Sequence, residues 1–322
     1  MNFSVVIPNY NGALFISDCL NSLINSIKEV KNVNFEIILV DNNSKDNSIE
    51  ISKEIFKKIK IIQNSKNFGF AGAVNQGIRK AKYEWVILLN NDLTFEKNWF
   101  EKVVPIIKEN KDPKVATFFG TVLIKDGTKF ESQGLEFFYS GKAQNISNGK
   151  TFNKSTIYDL KSNISVWGAS AALVIYNKDI LNRIGLFDED FFAYEEDVDL
   201  ALRLHNLNYK TLYIPSAISY HLGGGTSNKM RNIRSRLSFR NWFFVIIKNY
   251  SSKEILDNFL EIFIERIRNL SYFLRETIKI YKIKALIIFP FDFLKTLIEI
   301  LVKIPKTLRK RKQIQKLAKL SI

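Results

Sequence analysis

The chain has a single cysteine, Cys19, in 322 residues, so no disulfide can form within it, and a lone thiol fits a reducing compartment. Histidine is equally scarce, with only His205 and His221. The N-terminal run MNFSVVIPNYNG lacks the basic segment and cleavage site of a signal peptide. Its apolar stretch ends at a Pro-Asn turn and reads as a strand. A membrane-spanning run is missing too: Ile283–Ile304 is interrupted by Pro290 and broken by Asp292, Lys295, Glu299 and Lys303. No GxGxxG follows a strand and no GxxxxGK[ST] occurs, so the dinucleotide and P-loop fingerprints are absent.

Apolar residues make up 46% of the chain and aromatics 13%, the composition of a folded protein of one to three domains. The net charge of +16 is unevenly placed. Residues 228–322 hold 22 Lys and Arg against 7 Asp and Glu, whereas residues 1–227 hold 26 against 25. This shift predicts a near-neutral domain over 1–227 and a basic region over 228–322.

Phe3–Pro8, Phe35–Val40, Lys60–Gln63 and Glu84–Leu89 are short apolar runs ended by turns, as strands buried on both faces should be. Between them lie helical patterns: Ile16 to Ile27, then Ile51, Ile55 and Ile59 behind a cap at Ser44 or Asp46, then Ala71–Lys80. The alternation predicts an α/β fold with a mostly parallel, helix-covered sheet. Ligands bind beyond the carboxyl ends of such strands. There the sequence places Asn9-Tyr10-Asn11, Asp41-Asn42-Asn43 and Asn90-Asn91-Asp92. One such cluster would be a turn; three on one edge point to a polar ligand.

The stretch LFDEDFFAYEEDVDLALR (186–203) puts seven carboxylates within twelve residues, with no basic residue among them. So much like charge costs stability unless solvent, a cation or chemistry uses it. Asp188, Glu189 and Asp190 read as acids at a helix start. Glu196 and Asp197 follow an aromatic run able to wall a cleft, which suits a general base.

The middle, Asp126–Ser165, reads as irregular strands and loops with variable ligand contacts, and Val166–Ile175 returns to the core. Trp167 is either core or a stacking surface for a ligand, and Gly168 either a turn or a close approach to ligand. His205 reads as a solvated surface residue. Gly223-Gly224-Gly225-Thr226 is either a flexible linker or the hinge of a lid. In the tail, Leu256 to Leu274 and Leu286 to Leu301 form helical stripes, and KTLRKRKQIQKLAK closes the chain. The stripes fit a basic amphipathic helix on an anionic bilayer, a helix pair packed on the 1–227 domain, or both.

Five ordered motifs, VVIPNYNG (5–12), VDNNSKDNS (40–48), NFGFAGAVNQGI (67–78), LLNND (88–92) and the acidic stretch closing in HLGGG (221–225), resemble family 2 inverting glycosyltransferases of the GT-A fold. Within that family the chain is similar to rhamnosyltransferase- and galactofuranosyltransferase-like enzymes of bacterial surface-polysaccharide synthesis. The resemblance implies that Pro8 and Tyr10 border the base and ribose of a nucleotide-sugar donor, and that Asp41 hydrogen-bonds them. It places Asn67 and Gly69 at the nucleotide; Trp167, as a surface on which a sugar ring could stack, and Gly168 are the acceptor-side candidates from their own residue types. Asn90-Asn91-Asp92 stands at the family's DxD motif, so Asp92, with His221, is the expected ligand of a divalent cation, Mn²⁺ or Mg²⁺. Asn90 replaces the first acid of that motif and removes one negative charge. Asp197, beside Glu196, is the implied base.

The expected protein is a metal-dependent inverting glycosyltransferase, cytoplasmic and peripheral on the inner face of the cell membrane. Its leading donor is dTDP-rhamnose, with UDP-sugars next, and its acceptor a saccharide or lipid-linked saccharide. A rival is an inactive nucleotide fold binding nucleic acid through its tail. Long apolar stripes among the tail's Lys and Arg suit lipid better, so no nucleic-acid partner is expected.

Overall fold

The computed structural model describes residues 1–154, 164–223 and 231–320. At its centre β1 (Asn2–Asn9) pairs in parallel with β2 (Asn34–Asp41) and β4 (Trp85–Leu89), and β3 (Lys60–Gln63) extends the set beyond β2. Parallel neighbours need long crossovers. Helices α1 (Ile16–Lys28), α2 (Ser48–Ile55) and α3 (Gly69–Lys80) supply them. Both faces of the sheet are covered, which is why Val5, Val6 and Ile7 are all fully buried despite alternating sides.

Beyond β4 the sheet becomes mixed. Strand β11 (Leu173–Asn177) runs antiparallel to β4 and to β6 (Val115–Ile124), and β12 (Lys210–His221) runs parallel to β6. With β10 (Ile164–Val166) the order is β10-β12-β6-β11-β4-β1-β2-β3. Short strands β5 (Leu93–Phe95) and β7 (Phe130–Ser132) pair with β12 and β6. A separate hairpin joins β8 (Leu135–Phe138) to β9 (Lys142–Asn145). Helices α4 (Trp99–Glu109), α5 (Lys178–Ile184) and α6 (Glu196–Asn206) complete this part.

Two local expectations change. The second helix starts at Ser48 behind Asn47, not behind Ser44 or Asp46. Asp46 still accepts from the Ser48 amide at 3.2 Å, while its other oxygen takes the Ala13 amide at 2.9 Å and ties the first loop down. Its buried positions are Ser48, Ile49 and Ser52; Ile51 and Ile55 are half-buried, and Ile59 lies past the helix end.

The basic region forms α7 (Arg231–Asn249), α8 (Ser252–Asp257), α9 (Phe259–Tyr281) and α10 (Ala285–Leu320). Pro290 does not interrupt the last helix, which runs through it and through Pro305. Pro290 is exposed, so solvent can satisfy the carbonyl that its ring leaves unpaired. Phe239, Trp242, Phe244 and Val245 of α7 join Phe191, Val198 and Leu202 in one apolar core, with Phe273 of α9 and Ile300 of α10. Each buried phenylalanine contributes about 1.5–3 kcal/mol.

Charge reinforces this docking. Lys248 lies 2.8 Å from both Asp188 and Asp199, and Arg203 lies 3.0 Å from Asp199. Lys310 bridges Asp188 and Asp190, and Lys306 lies 2.8 Å from Asp190. The reading of Asp188 and Asp190 as helix-start acids therefore covers only part of their role. Asp188 does accept from the Asp190 amide at the start of a short 3-10 turn, but its charge is matched by the tail. Among the described residues, no helix is long and apolar enough to cross a membrane.

Candidate active site

The carboxyl ends of β1, β2 and β4 converge because the strands are parallel neighbours. Asn9 is the hub. Its amide nitrogen donates to Asp41 at 2.9 Å and to Ser48 at 2.8 Å, and its oxygen accepts from Asn91 at 2.8 Å. Asp41 is fully buried, accepts also from the Ser44 amide at 3.0 Å, and does not line the cleft. Its carboxylate ties Asn9, at the end of β1, to the Ser44 turn after β2.

Pro8, Tyr10, Asn42, Asn67, Gly69, Asn90 and Asn91 do line a cleft of about 730 Å³. Gly69 has φ +78, and a Cβ there would stand 2.2 Å from the carbonyl oxygen of Phe192. The close approach that demands glycine is thus to the acidic stretch.

Pairing of β12 with β5 sets His221 beside Leu93 and brings its Nε2 to 3.0 Å from Asp92 Oδ1. Glu131 of β7 accepts from His221 Nδ1 at 2.6 Å, a residue without any motif to mark it in the sequence. Burial lowers the affinity of His221 for its proton, but hydrogen bonds to Asp92 and Glu131 outweigh this and raise its pKa to about 10. Glu131 on Nδ1 orients the ring so that Nε2, on giving up its proton, is the nitrogen that could hold a cation, as carboxylates behind metal-binding histidines do. Among the described residues no three His, Cys, Asp or Glu side chains form a cation cage. The donor set, one carboxylate and one imidazole, fits a cation completed by phosphate oxygens and water.

The acidic stretch enters the cleft through a strained turn. Phe192, Tyr194 and Glu195 have φ of 67, 69 and 65, left-handed conformations that cost about 1–2 kcal/mol each without glycine. Helix α6 then starts at Glu196. Asp197 lines the cleft, accepting from the Ala171 amide at 3.2 Å and the Val198 amide at 2.8 Å. Burial raises its pKa above that of an ordinary aspartate. Glu196 is more deeply buried, its Oε2 has no partner, and burial with neighbouring Asp197 pushes its pKa well up. Glu195, held by the Ser238 hydroxyl at 2.6 Å, is raised by burial to about 7.

Trp167 and Gly168 stay outside the cleft. Trp167 is 43% exposed, with His205 against its ring at 4.0 Å, so it is an open surface and not core. A Cβ on Gly168 would meet that of Ala201 at 2.4 Å, which makes it a packing glycine. Gly224, Gly225 and Thr226 lie outside the described residues. The tail contributes what the sequence did not mark: Ile233, Arg234, Leu237, Ser238 and Tyr272 all line the cleft. Among the described lining residues there are five carboxylates, and Arg234 is the one lysine or arginine.

A parallel half-sheet continued by a mixed one, with its carboxyl edge facing an acid-lined cleft, defines the GT-A class of fold. Residues 4–185 match the family described as Glycosyl transferase family 2. The chain belongs to that family. It is 28% identical over 226 residues to a poly-beta-1,6-N-acetyl-D-glucosamine synthase of Staphylococcus epidermidis, covering 68% of this chain and 49% of that one. It is 29% identical over 231 residues to a dolichyl N-acetyl-alpha-D-glucosaminyl phosphate 3-beta-D-2,3-diacetamido-2,3-dideoxy-beta-D-glucuronosyltransferase of Methanococcus voltae, covering 68% and 66%. The chain thus spans about half to two thirds of the length of these relatives. A mannosyltransferase of Pyrobaculum calidifontis, solved with GDP-Man and Mn²⁺, shares the fold at TM-score 0.55 and 13% identity, covering 99% of this chain and 86% of that one.

Proposed function

We propose that the chain transfers a sugar from a nucleoside-diphosphate donor to a saccharide hydroxyl by single displacement with inversion, in polysaccharide synthesis. The observation that carries this is the meeting, in one cleft, of Asp92 and His221 from the strand ends with Asp197 from α6. A divalent cation, Mn²⁺ or Mg²⁺, held by Asp92 and His221 would neutralise the leaving diphosphate. Pro8, Tyr10, Asn67, Asn90 and Asn91 border the donor. Asp197, fixed by the Ala171 and Val198 amides and raised in basicity by burial, takes the proton of the attacking hydroxyl. Tyr194, Arg234 and Tyr272 make the acceptor side of the wall.

The resemblance of the motifs favours dTDP-rhamnose as donor, followed by UDP-sugars; the relatives' names add N-acetylated sugars. Release of nucleoside diphosphate across a donor panel, with and without Mn²⁺ and Mg²⁺, tests the reading. Metal-dependent release with one donor is expected. No release with any donor and a broad set of saccharide acceptors would overturn it.

The same enzyme is proposed to sit on the cytoplasmic face of an anionic membrane and use a lipid-linked acceptor. Support comes from exposed Phe259, Phe263 and Ile267 on α9 and Phe291, Leu294 and Ile298 on α10, in a region of high positive charge. Phe291→Glu with Leu294→Glu should release the full chain from phosphatidylglycerol vesicles, and unchanged sedimentation would refute the attachment.

A further inference from the structure

The loop between Asp190 and Glu195 contains three left-handed residues and no glycine, yet it carries the acids into the cleft. What holds it comes mostly from α7, beyond the residues that match the family. Asn241 is fully buried, and its amide nitrogen faces the carbonyls of Phe191, Ala193 and Tyr194 at 3.1, 2.9 and 2.7 Å. Arg240, also buried, donates to the carbonyls of Asp190 at 3.2 Å and Phe191 at 2.8 Å. Arg240 is itself fixed by the Asn241 oxygen at 3.0 Å and by Glu299 of α10 at 2.8 Å. The remaining carbonyl, that of Phe192, accepts the Ala71 amide of α3 at 3.3 Å. Every carbonyl from 190 to 194 is therefore held, four of the five by two side chains of one helix.

We propose that Asn241, backed by Arg240, is a positioning residue for glycosyl transfer: it clamps the strained loop so that Asp197 faces the cleft. This rests on the reading of Asp197 as base. Asn241 sends its donors to loop carbonyls and none to its own helix, so its loss frees the loop without removing apolar packing. Relaxation of left-handed residues towards ordinary backbone would swing the start of α6. Misplacement of a reacting group by about 1 Å costs on the order of 10²-fold in rate.

The test is Asn241→Asp in the full chain, which keeps shape and the oxygen facing Arg240 but sets a carboxylate against three carbonyls. Turnover should fall about 10²-fold while donor affinity stays within a few-fold, and amide exchange should accelerate at 191–197 ahead of the rest of the domain. Should Asn241→Asp not fold, Arg240→Lys, which keeps the charge but loses the fork, is read by the same criteria with a smaller loss. Wild-type turnover with unchanged loop exchange would overturn the clamp. Uniformly faster exchange, with donor affinity lost in step with turnover, would also overturn it, because that is the signature of a merely structural residue. Exchange needs no activity, so the clamp stands or falls even if no donor is ever turned over.

Discussion

Asp188 and Asp197 lie nine positions apart in one acidic stretch, and the protein treats them in opposite ways. Burial raises the pKa of both carboxyls. At Asp188 the charges of Lys248 and Lys310 outweigh burial and hold the carboxyl well below its ordinary range; at Asp199 Lys248 and Arg203 do the same. Asp197 has only backbone amides and the Ser170 side chain, and no cation, to offset burial, and it stays raised, as do Glu195 and Glu196 beside it. One half of the stretch is a socket for the basic tail and the other half faces the cleft. Charge density in a sequence thus gives no electrostatic environment until the partners are known.

The contrast breaks most visibly in activity. Asp197→Asn should lower turnover by roughly 10²–10⁴, the range of a general-base contribution, and leave donor affinity within a few-fold. Steady-state transfer and calorimetry check both. Near-normal turnover there, with Glu196→Gln dead, would exchange their roles.

On the other half the cost should appear in stability. Lys248→Met leaves Asp188 and Asp199 short of a buried partner, and breaking such pairs costs about 3–5 kcal/mol. Urea denaturation of the full chain measures it; a loss under 1 kcal/mol would mean that Lys310 and Arg203 suffice. Truncation after Met230 is a poor substitute, since it would bare Phe191, Val198 and Leu202 as well.

Metal use sharpens the cleft side further. Asp92→Ala should abolish metal-dependent donor binding, whereas His221→Ala should weaken it less, because diphosphate oxygens remain as ligands. Titration calorimetry of nucleoside diphosphate with Mn²⁺ separates the two, and unchanged metal dependence in Asp92→Ala would remove the residue from the site.

The smallest expected effect is on pH. Asp188 and Asp199 have folded pKa values below the unfolded value of about 3.9, so the unfolded chain takes up their protons first on acidification. Their stabilisation is full above that value and is lost as pH falls from it through the lowered folded values. Asp197 is shifted upward, so the acid limb of transfer should lie above the range of a free aspartate. Stability and rate should therefore decline in separate pH windows, the rate first.

Most of the parallel half-sheet was legible because its signals are local: continuous apolar runs such as Ile37–Val40, each stopped by Asn and Asp. Asp92, His221 and Asp197 were legible through motif resemblance, and all three line the cleft. Asp41 sits at a strand end like the others, but whether such a residue faces ligand or neighbouring loops depends on Asn9 and Ser44 across the edge. Glu131 and the partners of Asp188 were hidden because pairing over 60 to 122 positions leaves no periodicity. Helix α7 escaped for a different reason. Phe239, Trp242, Phe244, Val245 and Ile246 bury it on several sides, so no single stripe marks it as amphipathic.

The division of the acidic stretch is tested most directly by titrating its carboxyls with carbon-13 NMR in the full chain. The midpoint of Asp197 should lie above about 3.9 and that of Asp188 below it. An Asp197 midpoint at or below that of Asp188 would contradict the division between socket and cleft.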